Sequence, residues 1–133
     1  MGALIDSSVL IAAERGELEL PAAIAGYEDQ DVALSAITAS ELLHGVHRAR
    51  SQASKARREA WVESLLTRLP VLSFDLVAAR IHARLSARLA AVGATVGAHD
   101  LIIAATALSR ELDVITRDER SFPKIPDVVV ERR

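Results

Sequence analysis

Five short apolar runs, rich in β-branched residues, recur along the chain at strand-like lengths. They lie at residues 3–5, 32–34, 71–73, 114–116 and 128–130. Most of these runs lack the alternation of apolar and polar residues that marks a sheet with one face in water. They therefore predict strands that are buried on both faces, as in a parallel sheet.

Longer stretches with apolar residues three and four positions apart lie between these runs and predict helices. The clearest helical stretch is residues 74–91, whose apolar side is formed by Leu76, Ala79, Ile81, Leu85 and Leu89. Asp75 can cap the start of this helix, and Gly93 can close its end. Strands that alternate with helices predict an α/β fold, in which helices cover both faces of a mostly parallel sheet of about five strands.

Length and composition indicate one domain. The chain has 133 residues, half of them apolar, which is enough for one core and too few for two domains of ordinary size. The sequence contains no internal repeat, low-complexity tract or linker. We therefore expect a single domain over residues 1–133.

Charge and cysteine content exclude several classes of protein. The formal net charge of -2 argues against a general polyanion-binding protein, so any contact with nucleic acid needs a local basic patch. The absence of cysteine excludes disulfides and thiolate zinc sites. The apolar run LIIAATAL is far shorter than the roughly 18 residues of a membrane span, and the N-terminus does not read as a signal peptide. We therefore expect a soluble, cytoplasmic protein.

Four acidic residues occupy positions at which a parallel sheet can form a ligand-binding site. Asp6, Glu41 and Asp118 come after the first, second and fourth predicted strands. Asp100 opens the very apolar helix HDLIIAATAL. In open parallel sheets, ligands bind beyond the carboxyl ends of the strands, near the point where strand order reverses. We therefore expect the four carboxylates to converge at one edge of the sheet.

Three of these residues also have a purely structural interpretation, because the N-terminus of a helix favours a carboxylate as its cap. Asp6 or Ser7 could cap a helix over residues 9–15. Thr38 and Glu41 have the Ser/Thr-x-x-Glu spacing of a capping box. Asp100 could cap the helix that it opens. The residues alone leave both interpretations open.

A converged acidic cluster would have to bind a cation or take up protons. Two unit charges about 5 Å apart repel by about 3 kcal/mol at an effective dielectric constant of about 20, and four carboxylates contain several such pairs. Oxygen ligands without sulfur or an evident histidine cage favour Mg²⁺ or Mn²⁺ over zinc. Such a cation suits phosphodiester hydrolysis, because it activates a bound water and neutralises charge on the leaving oxygen.

Four segments resemble those of PIN-domain ribonucleases in order and spacing. They are LIDSSVLI, the Glu-Leu-x-x-Gly pattern that begins at Glu41, VGAHDLIIAATAL and VITRDERSF. The small size resembles the VapC toxin branch of that family. The resemblance covers essentially the whole chain, and residues 97–108 are its most specific part.

The resemblance implies a three-layer α/β/α fold around a parallel sheet. It also implies Mg²⁺- or Mn²⁺-dependent cleavage of single-stranded RNA or of RNA loops. The expected partners are a second copy of the chain, in a homodimer, and a neutralising VapB-like antitoxin whose C-terminal segment occupies the active-site groove. The implied function is therefore that of an endoribonuclease toxin in a toxin-antitoxin pair.

The resemblance carries over functional residues by position. The catalytic and metal-binding acidic positions of the family are matched by Asp6, Glu41, Asp100 and Asp118. Thr116 begins the Thr-x-Asn/Asp-x-x-x-Phe element that contains the fourth acid, and Ser8 matches a small hydroxyl position. Both are expected to support the acidic cluster.

One position departs from the family pattern. The residue before Phe122 is often acidic in the family, and here it is Ser121. This departure leaves Asp118 as the fourth carboxylate and argues against a role for Glu119.

The mechanism implied by the resemblance gives the carboxylates different tasks. Asp6, Asp100 and Asp118 hold one cation, directly or through water. Glu41 orients the attacking water or helps to bind a second ion. His99 stands beside Asp100, but this mechanism does not require it.

Other functions stay open at this point. DSSVL partly resembles the Asp-x-Ser-x-Ser motif of metal-dependent adhesion domains, although Leu10 replaces its final Ser. A metal-dependent binding module is therefore the main rival. A PIN fold without nuclease activity and a housekeeping PIN nuclease are further alternatives.

Two basic segments are candidates for contacts with RNA phosphates. They are residues 48–58, RARSQASKARR, and the stripe formed by Arg80, Arg84 and Arg88. With one Trp, one Tyr and two Phe in the chain, a platform for stacking bases is not supported. The composition favours recognition of RNA through its shape and backbone.

Overall fold

Strands and helices alternate along the chain, as the apolar pattern predicts. The computed structural model describes residues 2–133, and Met1 lies outside the described residues. The elements in this range are β1 (Ala3–Ile5), α1 (Ser7–Glu14), α2 (Leu20–Ala23), β2 (Val32–Ser35), α3 (Ala36–His47), α4 (Gln52–Arg68), β3 (Val71–Leu72), α5 (Leu76–Ala91), α6 (Ala98–Ser109), β4 (Asp113–Thr116), a 3₁₀ turn (Phe122–Lys124) and β5 (Val130–Arg132). The predicted α/β class is confirmed.

The five strands of residues 2–133 form one sheet in the order β3-β2-β1-β4-β5, and every neighbouring pair is parallel. β1 is the central strand, with Leu4 opposite Ala33 of β2 on one side and Val114 of β4 on the other. The chain builds outward from β1 to β3 and then returns to add β4 and β5 on the opposite side. Strand order therefore reverses between β1 and β4, the place where open parallel sheets bind ligands.

Successive residues of the central strands point to opposite faces of the sheet, and helices cover each face. On one face, Ile5 and Ile115 pack with buried residues of α1, α2, α3 and α4. On the other face, Leu4 and Val114 pack with α5, α6 and the 3₁₀ turn. The expected three-layer α/β/α arrangement is confirmed.

Several element boundaries differ from the prediction by one or two residues. The last strand covers Val130–Arg132 instead of residues 128–130. Its position is set by pairing, because Val130 lies opposite Val114 of β4, and a run of valines does not specify that register. The first helix begins at Ser7, two residues before its predicted start, because the chain turns into α1 directly after β1.

The start and end of α5 follow the predicted signals. Asp75 is its N-cap, and the Asp75 carboxylate accepts a hydrogen bond from the N–H of Ala78 at 3.0 Å. The helix therefore begins one residue after Asp75, which leaves Phe74 outside it. Gly93 follows the last turn with a φ of 68°, a conformation that favours glycine.

The helices differ in how far they are buried, since half of the residues of α6 lie in the core. The longest one in the described range, α4, has 17 residues and buries only Val62 and Leu65. In residues 2–133, no helix combines the length and the apolar character that crossing a membrane requires.

The 3₁₀ turn after β4 is anchored in the core by Phe122, whose side chain is fully buried. We predict that Phe122→Ala lowers the free energy of unfolding by about 3–5 kcal/mol, because it leaves a cavity that the neighbouring side chains cannot fill. Urea denaturation followed by circular dichroism measures this change.

Val92→Ala is the matched control for this core substitution, since Val92 is 78% exposed. It should change the free energy of unfolding by less than about 0.5 kcal/mol. A comparable effect of the two substitutions would contradict the assignment of Phe122 as a core anchor.

Candidate active site

Asp6 lies at the point where strand order reverses. It directly follows β1, and Thr116 is the last residue of the neighbouring β4. Oδ2 of Asp6 accepts hydrogen bonds from the hydroxyls of Thr116, at 2.8 Å, and Ser8, at 2.7 Å. Only 3% of Asp6 is exposed. The two hydroxyls therefore satisfy one oxygen of a buried carboxylate and fix the orientation of the group.

The capping interpretation of Asp6 is wrong. Asp6 occupies the N-cap position of α1, but its side chain accepts no hydrogen bond from a backbone N–H of the helix. The carboxylate is turned instead toward β4, where Thr116 holds it. Within residues 2–133, no group donates to its second oxygen, Oδ1. That oxygen is free to bind a ligand.

Glu41 lies in the second turn of α3, and both of its carboxylate oxygens have partners. The hydroxyl of Ser7 donates to Oε2 at 2.8 Å, and Nδ1 of His99 lies 3.1 Å from Oε1. The predicted capping box is wrong, because α3 begins earlier and Ser35 is its N-cap. The Ser35 hydroxyl accepts a hydrogen bond from the N–H of Thr38 at 3.2 Å. Glu41 is therefore not needed to start its helix.

Asp100 lies in the first turn of α6, whose N-cap is Gly97, so its predicted capping role is also wrong. Burial raises the pKa of Asp100 above its ordinary value, while the hydroxyl of Ser121 acts to lower it. Nearby negative charges raise this pKa further, and in order of decreasing effect they belong to Asp6, Asp118 and Glu41. The four carboxylates therefore share one electrostatic environment.

Gly97 lets the carboxylate of Asp100 fold back over the start of α6. A Cβ atom at position 97 would lie 2.5 Å from Oδ2 of Asp100, which is too close for two non-bonded atoms. The N–H of Gly97 donates to the hydroxyl of Ser121 at 3.0 Å, which ties the start of α6 to the turn after β4. Any side chain at position 97 would displace the Asp100 carboxylate.

Asp118 lies in the turn after β4 and has a structural role there. Its two carboxylate oxygens accept hydrogen bonds from the backbone N–H groups of Arg120 and Ser121, both at 3.0 Å. Its own N–H donates to the hydroxyl of Thr116 at 2.9 Å. These bonds close the turn and hold the carboxylate beside the other acids, where its charge raises the pKa of Asp100.

The donor set of this cluster fits a hard, partly hydrated cation. Carboxylate oxygens are the ligands that Mg²⁺ and Mn²⁺ prefer. Among the described residues 2–133, no three His, Asp or Glu side chains are grouped closely enough to hold a metal ion. A bound Mg²⁺ would therefore keep several of its waters, as it usually does in proteins. Glu119 is not part of the cluster, since it pairs with Arg132.

Known proteins share this arrangement of strands and helices. A family model described as PIN domain matches residues 3–128. The chain belongs to the PIN domain family. It is 30% identical over 131 residues to the ribonuclease VapC of Rickettsia bellii, and the alignment covers 98% of this chain and 95% of that protein. The predicted family is confirmed.

Two further comparisons connect this PIN domain to VapC proteins. It is 40% identical over 116 residues to the ribonuclease VapC5 of Mycobacterium tuberculosis, which covers 87% of this chain and 82% of that protein. A crystal structure of VapBC-5 from the same organism, a member of the VapBC family of toxin-antitoxin systems, superposes with a TM-score of 0.78. That superposition has 37% identity and covers 98% of this chain and 96% of the other.

Besides Ser121, whose hydroxyl contacts the Asp100 carboxylate, two side chains of this PIN domain contact the site without being among the predicted site residues. Ser7 and His99 both hold Glu41. The only signal in the sequence is their position, because Ser7 follows Asp6 and His99 precedes Asp100. The packing of α1, α3 and α6 decides which carboxylate Ser7 and His99 contact.

The raised pKa of Asp100 means that its negative charge destabilises the metal-free PIN domain. Because the pKa is higher in the folded state, protonated Asp100 favours folding, and this contribution is lost as the pH rises through the folded-state pKa. We therefore predict that Asp100→Asn raises the Tm of the metal-free protein at pH 7. The gain should shrink below about pH 4, where the carboxyl group is protonated in both states.

Calorimetry in low-salt buffer with a chelator measures the effect of Asp100→Asn on Tm. The control is Asp29→Asn, which removes an exposed carboxylate outside the acidic cluster and should leave Tm nearly unchanged. A lower Tm for Asp100→Asn at pH 7 would show that the carboxylate stabilises the metal-free fold, contrary to this expectation.

Proposed function

We propose that this PIN domain is a Mg²⁺- or Mn²⁺-dependent endoribonuclease and acts as the toxin of a toxin-antitoxin pair. The observation that carries the proposal is the negative charge gathered around Asp100, whose pKa is raised by burial and by three neighbouring acids. The similarity of this PIN domain to proteins named ribonuclease VapC supports RNA as the substrate.

The acidic cluster has no cationic side chain to balance it. In residues 2–133, neither Lys nor Arg forms an ion pair with Asp6, Glu41, Asp100 or Asp118. The groups that contact these carboxylates are hydroxyls, backbone N–H groups and His99. A cluster of like charges is unfavourable unless a cation binds among them, so its presence supports a metal-binding role.

The carboxylates of the cluster provide the oxygen donors for this cation. A bound Mg²⁺ or Mn²⁺ would lower the pKa of a water ligand and neutralise charge on the RNA phosphate. Asp6 offers Oδ1, while Ser8 and Thr116 hold its other oxygen. Asp100 offers a carboxylate at the positive N-terminal end of α6. Asp118 adds its charge from a turn that its own hydrogen bonds keep closed.

Glu41 has a different task from the other acids. Its effect on the pKa of Asp100 is the smallest of the three, and both of its oxygens already have partners. Carboxylate oxygens can each accept more than one hydrogen bond. Glu41 can therefore orient a water for attack on phosphorus while Ser7 and His99 keep its side chain in place.

Substitution of Asp6 tests the proposed chemistry, because Asp6→Asn removes a charged donor at nearly constant size. We predict that it lowers metal-dependent RNA cleavage by about 100-fold or more and leaves the fold intact by circular dichroism. Protein shown to be free of antitoxin is incubated with single-stranded and structured RNA in the presence of Mg²⁺, Mn²⁺ or chelator. Asp29→Asn is the matched control and should cleave like the unsubstituted protein.

Two outcomes would contradict the proposal. Undiminished cleavage by the Asp6→Asn protein would remove Asp6 from the active site. A failure of the unsubstituted protein to cleave RNA under any metal condition would favour a PIN fold that only binds, without nuclease activity.

A groove beside Glu41 supports an antitoxin as partner. It lies between α1, α3 and α4, and its apolar lining includes Ile11, Leu42, Trp61 and Val62. Arg58 borders the groove, where it pairs with Glu14 at 3.4 Å and donates to the carbonyl of Gly45 at 3.2 Å. An amphipathic segment with an apolar anchor fits such a groove. Because Glu41 forms part of the lining, the C-terminal segment of a VapB-like antitoxin bound there would cover the acidic site.

The genetic context separates a toxin from a housekeeping nuclease of the same fold. A small reading frame for a DNA-binding protein directly beside this gene would support the toxin. An isolated gene would favour the housekeeping alternative.

An exposed apolar surface supports a homodimer. This dimer surface consists of Val71, Phe74, Leu76 and Val77, on the edge strand β3 and at the start of α5. These side chains are 41–65% exposed. Exposed apolar side chains of this kind can mark a protein contact, and a two-fold axis would bury the same residues on both copies.

Substitution of Leu76, the most exposed residue of the dimer surface at 65%, tests the homodimer. We predict that Leu76→Lys shifts the sedimentation coefficient from dimer to monomer, because the contact would bury two unpaired charges. Val92→Lys, at the opposite end of α5, is the control and should remain dimeric. A dimer that withstands Leu76→Lys, or an unsubstituted protein that is monomeric at high concentration, would contradict the proposed surface.

A further inference from the structure

Glu41 is the point at which three separate segments of the chain meet. Its Oε2 accepts a hydrogen bond from Ser7, the residue after Asp6, and its Oε1 lies 3.1 Å from Nδ1 of His99, the residue before Asp100. The start of α1, the middle of α3 and the start of α6 are thereby joined through one carboxylate. Glu41 is thus fixed relative to the segments that carry Asp6 and Asp100.

We propose that His99 is a positioning residue, which holds the Glu41 carboxylate in the orientation needed for metal-dependent RNA cleavage. This inference rests on the proposed function. His99 acts through Glu41, and the atom that does so is Nδ1.

The need for a second restraint on Glu41 follows from the length of its side chain. Glutamate has several rotatable bonds, and a single hydrogen bond from Ser7 to Oε2 leaves the carboxylate free to turn about that contact. A second contact on Oε1 removes this freedom. Groups that orient an active-site carboxylate commonly affect metal affinity or activity by 10- to 100-fold.

The surroundings of His99 fit this role better than a role in packing. The His99 side chain is 55% exposed, so it contributes little to the core, and the Glu41 side chain is 26% exposed. His99 lies in the first turn of α6, where the helix backbone fixes its Cα. Since Nδ1 faces Glu41, only Nε2 is left to contact RNA or solvent. A direct contact with RNA through Nε2 is the competing role, and it would affect KM.

Kinetics of His99 variants separate positioning from RNA contact. We expect His99→Ala to lower kcat by about tenfold and to change KM by less than about twofold. His99→Asn should restore most of kcat, because the Asn amide nitrogen occupies the position of Nδ1 and can donate to Oε1 but cannot replace Nε2. His47→Ala is the control, since His47 is an exposed histidine at the end of α3, outside the acidic cluster.

Two measurements on the same variants do not depend on nuclease activity. Calorimetric titration with Mn²⁺ should show weaker binding to the His99→Ala protein and near-normal binding to the His99→Asn protein. In metal-free protein, the changes in Tm for His99→Ala and Glu41→Ala should be non-additive in the double variant, because both remove the same contact.

The outcomes distinguish a failure of this inference from a failure of the proposed function. Unchanged kcat and unchanged Mn²⁺ binding in His99→Ala would overturn the positioning role, as would a rise in KM alone or no rescue by His99→Asn. Additive changes in Tm would show that the contact with Glu41 is not formed in solution and would also overturn it. If the unsubstituted protein binds Mn²⁺ but cleaves no RNA, the proposed nuclease function fails, and the titration still decides the role of His99.

Discussion

The parallel pairing of β1 with β4 is the interaction on which the acidic site depends. The N–H of Asp6 donates to the carbonyl of Ile115 at 2.9 Å, and the Thr116 hydroxyl donates to the Asp6 carboxylate at 2.8 Å. The second contact joins residues 110 positions apart in the sequence. Because strand order reverses at this pair, the helices on either side diverge and leave the edge of the sheet open. Thr116 also accepts the N–H of Asp118, so the same strand end positions two acids.

The site combines a strongly apolar sheet with an edge of unbalanced negative charge. Ile5 and Ile115 are fully buried beneath α1–α4, and the opposite face of the sheet is also covered by apolar side chains. This core stabilises the scaffold, whereas the acidic edge does not. Neutral hydroxyls and backbone N–H groups orient the carboxylates without cancelling their charge. This arrangement follows a common pattern in enzymes, in which the active site is less stable than its scaffold because its groups are arranged for a ligand.

The capping interpretations show how far local sequence reasoning reaches. A carboxylate near the start of a helix fits either a cap or an active site, and the sequence does not separate the two. The structure assigns the caps of α3 and α6 to Ser35 and Gly97, and it turns the Asp6 carboxylate away from the backbone N–H groups of α1. Asp118 caps its own turn, a role that strand and helix patterns do not predict, because it depends on the path of the chain into the buried Phe122.

The sequence by itself determined the elements, the layered architecture and the family, because buried parallel strands and amphipathic helices leave local patterns and the acidic segments have a recognisable spacing. The tertiary structure decided the contacts within the site. Ser7 reaches Glu41 instead of capping α1, His99 reaches the same carboxylate from α6, and Gly97 makes room for Asp100. The two contacts with Glu41 join segments distant in sequence, and their geometry depends on how helices pack across the sheet, which no local pattern encodes.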